Sequence, residues 1–185
     1  MSGLFITFEG GDGAGKTTQS QLLATWLESR GYEVVHTREP GGSSLGDSVR
    51  NVLLHGGHVF ERAEALLYAA DRAQNIAEVV RPALERGAAV VQDRYIDSSL
   101  AYQGAGRTLP QDEVRRINEW ASEGLWPELT VLLDADPKIA ITRRAAAGEF
   151  GAWLRLAPDV VAAARHVEGH EEHRADLPAL VLPVG

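Results

Sequence analysis

The segment Gly10-Gly11-Asp12-Gly13-Ala14-Gly15-Lys16-Thr17 constrains this chain more than any other. It satisfies G-x-x-x-x-G-K-[ST] at every fixed position. It also lies between an apolar strand pattern, Leu4-Phe5-Ile6-Thr7-Phe8, and an amphipathic helix pattern. Glycines let the backbone curl so that several N–H groups converge on one phosphate chain, at the start of a helix whose dipole favours anions. The candidate contacts are Gly10, Gly13, Ala14, Gly15, Lys16, Thr17 and Thr18. Lys16 is placed to reach the β- and γ-phosphates, and the Thr17 hydroxyl to ligate magnesium. An ordinary glycine-rich turn does not account for the strand–turn–helix context. The motif therefore implies a bound nucleoside triphosphate. No base-reading Asn-Lys-x-Asp segment follows, as a GTPase requires, so the reaction class must be read from a second substrate's site.

The rest of the chain alternates short apolar runs with helical patterns. Glu33–Thr37, Ala88–Val91 and Leu129–Leu133 read as further strands, and Leu180–Leu182 as a fifth. Helices are predicted after the glycine-rich turn, with Leu22, Leu23, Trp26 and Leu27 on one side, and over Arg62–Arg86, Gln111–Glu123 and Pro137–Ala147. Strands that are apolar throughout and alternate with helices predict a parallel sheet covered on both faces. Ligands of such sheets bind beyond the carboxyl ends of the strands.

A length of 185 residues suits one domain, and 44% apolar content with 6% aromatic reads as globular. No apolar run reaches the roughly 18 residues of a membrane span. The first residues lack the pattern of a signal peptide, and the absence of cysteine excludes disulfides and thiolate metal sites. The expectation is a cytoplasmic protein. A net charge of −8 argues against a general nucleic-acid binder, yet a few clustered arginines can still make a positive cleft.

Three segments are candidates for the second site. Thr37-Arg38-Glu39-Pro40-Gly41-Gly42 ends the second strand, where Arg38 can offer a forked donor to a phosphate or stand as an exposed turn residue. Tyr68 and Arg72, four apart on a predicted helix, can stack on a base and read its edge or phosphate. The bland alternative is a core tyrosine beside a surface Asp71–Arg72 pair. In Asp93-Arg94-Tyr95-Ile96-Asp97-Ser98-Ser99-Leu100-Ala101-Tyr102-Gln103, Asp93 can hold magnesium through water and Arg94 can bridge two substrates' phosphates. A surface ion pair is the alternative there.

Together with Glu9-Gly10-Gly11-Asp12-Gly13, these segments closely resemble the thymidylate kinase family from about Leu4 to Arg144. The marks are the Arg-Glu-Pro-Gly-Gly loop, the Ala-Asp-Arg-Ala-Gln helix and the Asp-Arg-Tyr-x-x-Ser-x-x-Ala-Tyr-Gln segment. The resemblance implies a three-layer α/β sandwich with a five-stranded parallel sheet of the P-loop nucleoside monophosphate kinase type. It also implies a homodimer, and transfer of the γ-phosphate of MgATP to dTMP, giving dTDP and ADP. Carried over by motif, Tyr68 stacks on thymine and Arg72 contacts its edge. Arg38 and Arg94 grip the dTMP phosphate, and Asp12 meets the sugar 3′-hydroxyl. Tyr102 crowds the 2′ position, Ser99 and Gln103 lie near the base, and Thr17 and Asp93 serve the metal. Lys16, Asp12, Arg38 and Arg94 make up the implied catalytic set, completed by lid arginines.

The family places a catalytic arginine in the P-loop or on a mobile lid, and Gly11–Ala14 contain none. One domain over residues 1–185 with a basic lid at about 143–158 is expected, with Arg143, Arg144 and Arg155 as candidates. The segment 151–185 departs from the family pattern and reads as a divergent or frame-slipped replacement. A helix bearing Val160, Ala164 and Val167 is predicted there. Of His166, His170 and His173, the first two share a helix face and could bind a metal. A solvated polar helix is the reading preferred, since no nearby motif needs a metal beyond magnesium, and Trp153 reads as a packing residue. Alternatives to the full activity are a catalytically weakened nucleotide-binding homologue, or a kinase for another nucleotide such as dUMP or for a deoxynucleoside.

Overall fold

The computed structural model describes residues 3–105, 109–136, 138, 140 and 179–184. Strand β1 (Leu4–Gly10) leads through the glycine-rich turn into α1 (Lys16–Ser29). Then follow β2 (Val34–Arg38), α2 (Ser44–His55) and α3 (Glu61–Asn75). Helix α3 continues through a π-helical turn, Ile76–Val80, into α4 (Arg81–Glu85). The remainder is β3 (Ala89–Asp93), α5 (Ile96–Ser99), a second π-helical turn over Leu100–Ala105, α6 (Gln111–Ser122), β4 (Leu129–Ala135) and β5 (Ala179–Val184). The five strands are all parallel, in the order β2-β3-β1-β4-β5, so β1 and β3 lie side by side near the centre.

The pleat distributes side chains to two cores. Phe5 and Val90 face α4 and the two π-helical turns, packing with Ile76, Val80, Ala83, Tyr95, Ile96, Leu100 and Val114. Phe5 meets Tyr95 edge to face at 5.2 Å. Ile6, Phe8, Val91 and Val131 point the other way, onto Ala24 and Leu27 of α1. Because both faces are covered, the strands need apolar residues at every position, and this is why they are conspicuous in the sequence. At the carboxyl ends the same alternation acts on polar residues. Gln92 is directed to one face and its neighbour Asp93 to the other.

Three expectations change. Helix α1 does not bury Leu22 and Trp26, which are 59% and 51% exposed; its buried stripe is Ser20, Ala24 and Leu27. Small residues let the helix approach the sheet closely, while Trp26 lies outside under the Arg30 guanidinium at 4.9 Å. Helix α2 was not anticipated from its glycine- and serine-rich sequence, although Ser43 caps it by accepting from the Gly46 N–H at 3.0 Å. The segment expected as one helix over Arg62–Arg86 is interrupted by the π-helical turn. The fifth strand forms as expected and pairs with β4. Of the helix expected over 137–147, Lys138 and Ala140 are helical; the rest, and the helix expected to bear Val160, Ala164 and Val167, lie outside the described residues.

Glycine is required at Gly10, where β1 ends. Its φ is 136°, and a Cβ there would stand 2.5 Å from the Leu133 carbonyl oxygen of β4.

The rotation of α1 is testable by chemical denaturation. Leu27→Ala should cost about 2–5 kcal/mol, as a buried leucine does. Leu22→Ala should stay within about 0.5 kcal/mol. Equal costs at the two positions would contradict the observed face.

Candidate active site

The functional side chains gather beyond the carboxyl ends of β1, β2 and β3, where parallel sheets place their sites. Helix α1 begins at Lys16, preceded by Gly15 at φ 93°. Lys16 Nζ donates to the carbonyls of Gly10 at 3.0 Å and Gly11 at 2.8 Å. Burial, then the Arg94 charge, lowers its pKa to about 7. An anion brought into the cradle would favour its charged form. Thr17 Oγ1 donates to Asp93 Oδ2 at 2.5 Å. Asp93 Oδ1 is buried and has no hydrogen-bond partner among the described residues. This hydroxyl–carboxylate pair, with an unsatisfied oxygen, fits the hard-oxygen preference of magnesium. Among the described residues no group of three His, Cys, Asp or Glu could hold a metal. The pair therefore suits an ion that keeps water and nucleotide oxygens in its shell.

Glu9, the last side chain before the cradle, organises the opposite wall. Its carboxylate accepts from the Tyr95 N–H at 2.8 Å, the Ser98 N–H at 3.3 Å and the Ser98 hydroxyl at 2.6 Å. Burial, then the nearby Asp97, pushes its pKa up to about 7. Between Asp93 and these anchored residues, Arg94 takes a left-handed conformation at φ 72° and donates its backbone N–H to Phe8 at 2.9 Å. Its side chain pairs with Asp12 of the cradle, donates to Ser98 Oγ at 3.2 Å, and lies 5.2 Å from the centre of the Tyr102 ring. The surface ion pair considered within this segment is not what the structure shows; Arg94 pairs instead with Asp12 of the glycine-rich loop. This pair joins the cradle to the wall facing it, and its two side chains are only 20% and 24% exposed.

The turn after β2 contains a cis Glu39–Pro40 bond and is held from beneath. Glu39 Oε2 accepts from Arg72 Nε at 2.9 Å and Nη2 at 2.7 Å, and its Oε1 accepts from Gln92 at 2.9 Å. Asp71 Oδ1 accepts the Gly41 N–H at 3.0 Å, and Thr37 donates to Asn75 at 3.1 Å. The Asp71–Arg72 pair is thus deeply buried and not the surface pair that helix spacing alone allowed. Arg38 stands exposed above the turn, 3.9 Å from Asp47. Arg50, which the sequence reading missed, donates to the Pro40 carbonyl at 3.0 Å. It lies close enough to Arg38, Tyr68, Asp93 and Arg94 to share their electrostatic field.

The residues expected near a base are clustered, but they differ in accessibility. Tyr68 is half-buried and shares the electrostatic field of Arg94, Glu64, Tyr102 and Asp12. Gln103 donates to Glu64 at 3.0 Å, and Ser99 accepts from Arg72 at 3.2 Å. Arg72 is 1% exposed and directs its donors at Glu39, Ser99 and Asn118, with Tyr95 stacked 5.1 Å away. Glu9, Glu39, Asp71 and Ser98 were missed as anchors because their partners are distant in sequence. Arg50 was missed with its helix, for which the Ser43 cap was the available signal. Arg143, Arg144, Arg155, Trp153, Phe150, His166, His170, His173 and the expected lid at 143–158 lie outside the described residues.

Asp71 gives this site a pH signature. Burial, then Glu39, raises its pKa from 3.8 to about 7, with Asp47 adding to the rise and Arg72 and the Gly41 N–H opposing it. A raised carboxylate contributes stability below its unfolded pKa and loses it as pH rises through the folded value. Asp71→Asn should therefore be more stable than the native chain at pH 8, by on the order of 2 kcal/mol, with the gap closing toward pH 4. Urea unfolding at the two pH values checks this, and a pH-independent difference would contradict it.

The family pattern described as thymidylate kinase matches residues 8–153. The thymidylate kinase of Clavibacter sepedonicus is 64% identical over 148 residues, covering 80% of this chain and 70% of that protein. The enzyme of the same name from Bifidobacterium longum strain DJO10A is 55% identical over 148 residues, with 77% and 72% covered. The crystal structure of thymidylate kinase from Ehrlichia chaffeensis superposes with a TM-score of 0.78 at 32% identity, covering 98% of this chain and 93% of the other. A family pattern over most of the chain and relatives this similar show that the chain belongs to the thymidylate kinase family.

Proposed function

We propose that this chain transfers the γ-phosphoryl group of MgATP to the phosphate of dTMP, releasing dTDP and ADP. One observation carries the reading: the contact between Asp12 of the cradle and Arg94 of the facing wall. It supports a reading in which the glycine-rich loop faces a second set of cations, Arg94 with Arg38 and Arg50, whose charges act on one another. A GTP- or ATP-driven switch needs no such second cluster. A kinase whose acceptor is itself a phosphate does.

The acceptor oxygen is already a nucleophile, so the chain need supply no strong base. Its task is in-line positioning and neutralisation of charge on the moving group. Lys16 and the backbone N–H groups of the cradle would hold the donor phosphates. Arg38 and Arg50 would take the acceptor phosphate from the side of the turn. Arg94 would lie between donor and acceptor, fixed by Asp12, Ser98 and the Tyr102 ring, so little reorganisation is needed as charge develops. Thr17 and Asp93 would hold the magnesium, which offsets negative charge on the donor phosphates.

Tyr68 would stack on thymine, with Arg72, Ser99 and Gln103 forming the base-side wall. Asp12 would meet the 3′-hydroxyl, and Tyr102 would fill the 2′ side. On the family resemblance the same proposal includes a homodimer, a cytoplasmic setting, a single domain and a lid whose Arg143 and Arg144 complete the cation set.

Coupled ADP release with MgATP tests the reading, comparing dTMP with dUMP, dCMP and no acceptor. Release that requires dTMP is expected. Acceptor-independent release, or preference for dUMP, would contradict it, and dTMP binding without turnover would identify a weakened homologue. Arg94→Ala should lower kcat/KM for dTMP by about 10²–10³-fold, in the range for removing one preorganised charge donor. A change of less than about threefold would remove Arg94 from the proposed role.

A further inference from the structure

The acceptor turn is tied from beneath by a residue to which the proposed reaction gives no contact with either substrate. Asp71 of α3 has no solvent exposure. Its Oδ1 accepts the Gly41 N–H at 3.0 Å, and its Oδ2 has no hydrogen-bond partner among the described residues. The first turn of α2 rests on the same carboxyl. A Cβ at position 46 would stand 2.4 Å from Asp71 Oδ1 and 2.7 Å from the Gly41 carbonyl, so α2 comes this close only because Gly46 has no side chain. One carboxyl oxygen thus touches both the turn that follows Arg38 and the helix that carries Arg50. Arg50 closes the loop by donating to Pro40 O, one residue before Gly41.

The charge count agrees with a holding role. Glu39 and Arg72, 2.7 Å apart, neutralise each other near Asp71, and Asp47 adds a further carboxylate to its field. The Arg72 charge opposes the rise in the Asp71 pKa, and Asp47 adds to it. Burial beside Glu39 favours the neutral acid, with a pKa of about 7. A neutral acid can still accept from Gly41 without adding charge beneath an anion site.

We propose that Asp71 is a positioning residue for the acceptor phosphate: from beneath the 39–42 turn it fixes the separation of Arg38 and Arg50. The inference rests on the dTMP-kinase reading and adds to it the part that sets the phosphate grip. It assigns to Asp71 an effect on phosphate recognition and none on the base or on the donor nucleotide.

Titration calorimetry on the full chain with dTMP, thymidine and ADP tests this. Asp71→Ala should weaken dTMP binding about tenfold, the scale of a buried N–H left unpaired, and leave thymidine and ADP within about twofold. Asp71→Asn keeps an acceptor toward Gly41 and should restore dTMP affinity to within about twofold of native. Gly46→Ala, which pushes α2 off the same oxygen, should mimic Asp71→Ala; it decides the matter if Asp71→Ala no longer binds ADP. Equal losses for dTMP and thymidine would mean general collapse of the pocket and overturn the proposal. So would unchanged dTMP affinity in Asp71→Ala and Gly46→Ala. A native chain that does not bind dTMP would overturn the kinase reading, and this inference with it; native binding that survives both variants overturns this inference alone.

Discussion

The buried ion pair between Glu39 and Arg72 is the joint on which the turn after β2 depends. Both side chains are almost wholly out of water, at 2% and 1% exposure, and two donors of one guanidinium meet one carboxylate oxygen. Such a pair adds little net stability over an apolar replacement, because desolvation offsets much of the attraction. Removing one partner is different, since it strands a charge and costs about 3–5 kcal/mol. The pair therefore specifies geometry. It fixes the turn after β2 to α3, and through Gln92, Ser99 and Asn118 it extends to β3, α5 and α6. Elements far apart in the chain are brought to one place by polar contacts that tolerate only one arrangement.

Against that fixed wall, the cradle is built by local rules. Its glycine spacing, its strand before and its helix after are contiguous, and a contiguous mechanism is legible in sequence. The strands were legible for a similar reason, because burial on both faces leaves a run of apolar residues. The reading failed where local spacing did not carry the information. Leu22 and Trp26 fit a helical stripe as well as Ala24 and Leu27 do, and spacing alone does not say which of the two faces meets the sheet. Arg50 lies in a stretch whose glycines and serines mask a helix.

The polar network was illegible for a different reason. Arg72 reaches Glu39 across 33 positions and Asn118 across 46, and Glu9 reaches Tyr95 and Ser98 across nearly 90. No periodicity encodes such pairings. The resemblance named Arg72 through a recognisable motif, but only as a contact for the substrate. The structure adds that the same arginine braces the turn, with its donors directed to Glu39, Asn118 and Ser99.

The π-helical turn at Ile76–Val80 has a consequence for how this chain can change. A π turn holds one residue more than the α-helix it interrupts. Everything after it is rotated by roughly 100° relative to an unbroken helix. Before it, α3 presents Asp71, Arg72 and Asn75 to the turn after β2; at its end and just beyond it, Val80 and Ala83 pack with Phe5 and Val90 of the sheet. A single-residue deletion in this stretch could be absorbed by ordinary helix, yet it would re-aim one of those two sets. Substitutions at Ala77, Glu78 or Val79 are open to drift, whereas the number of residues between Asn75 and Arg81 is not. Length is the heritable constraint there, and a lineage that lost or gained one residue would need to rebuild either the turn's brace or the core beneath Phe5.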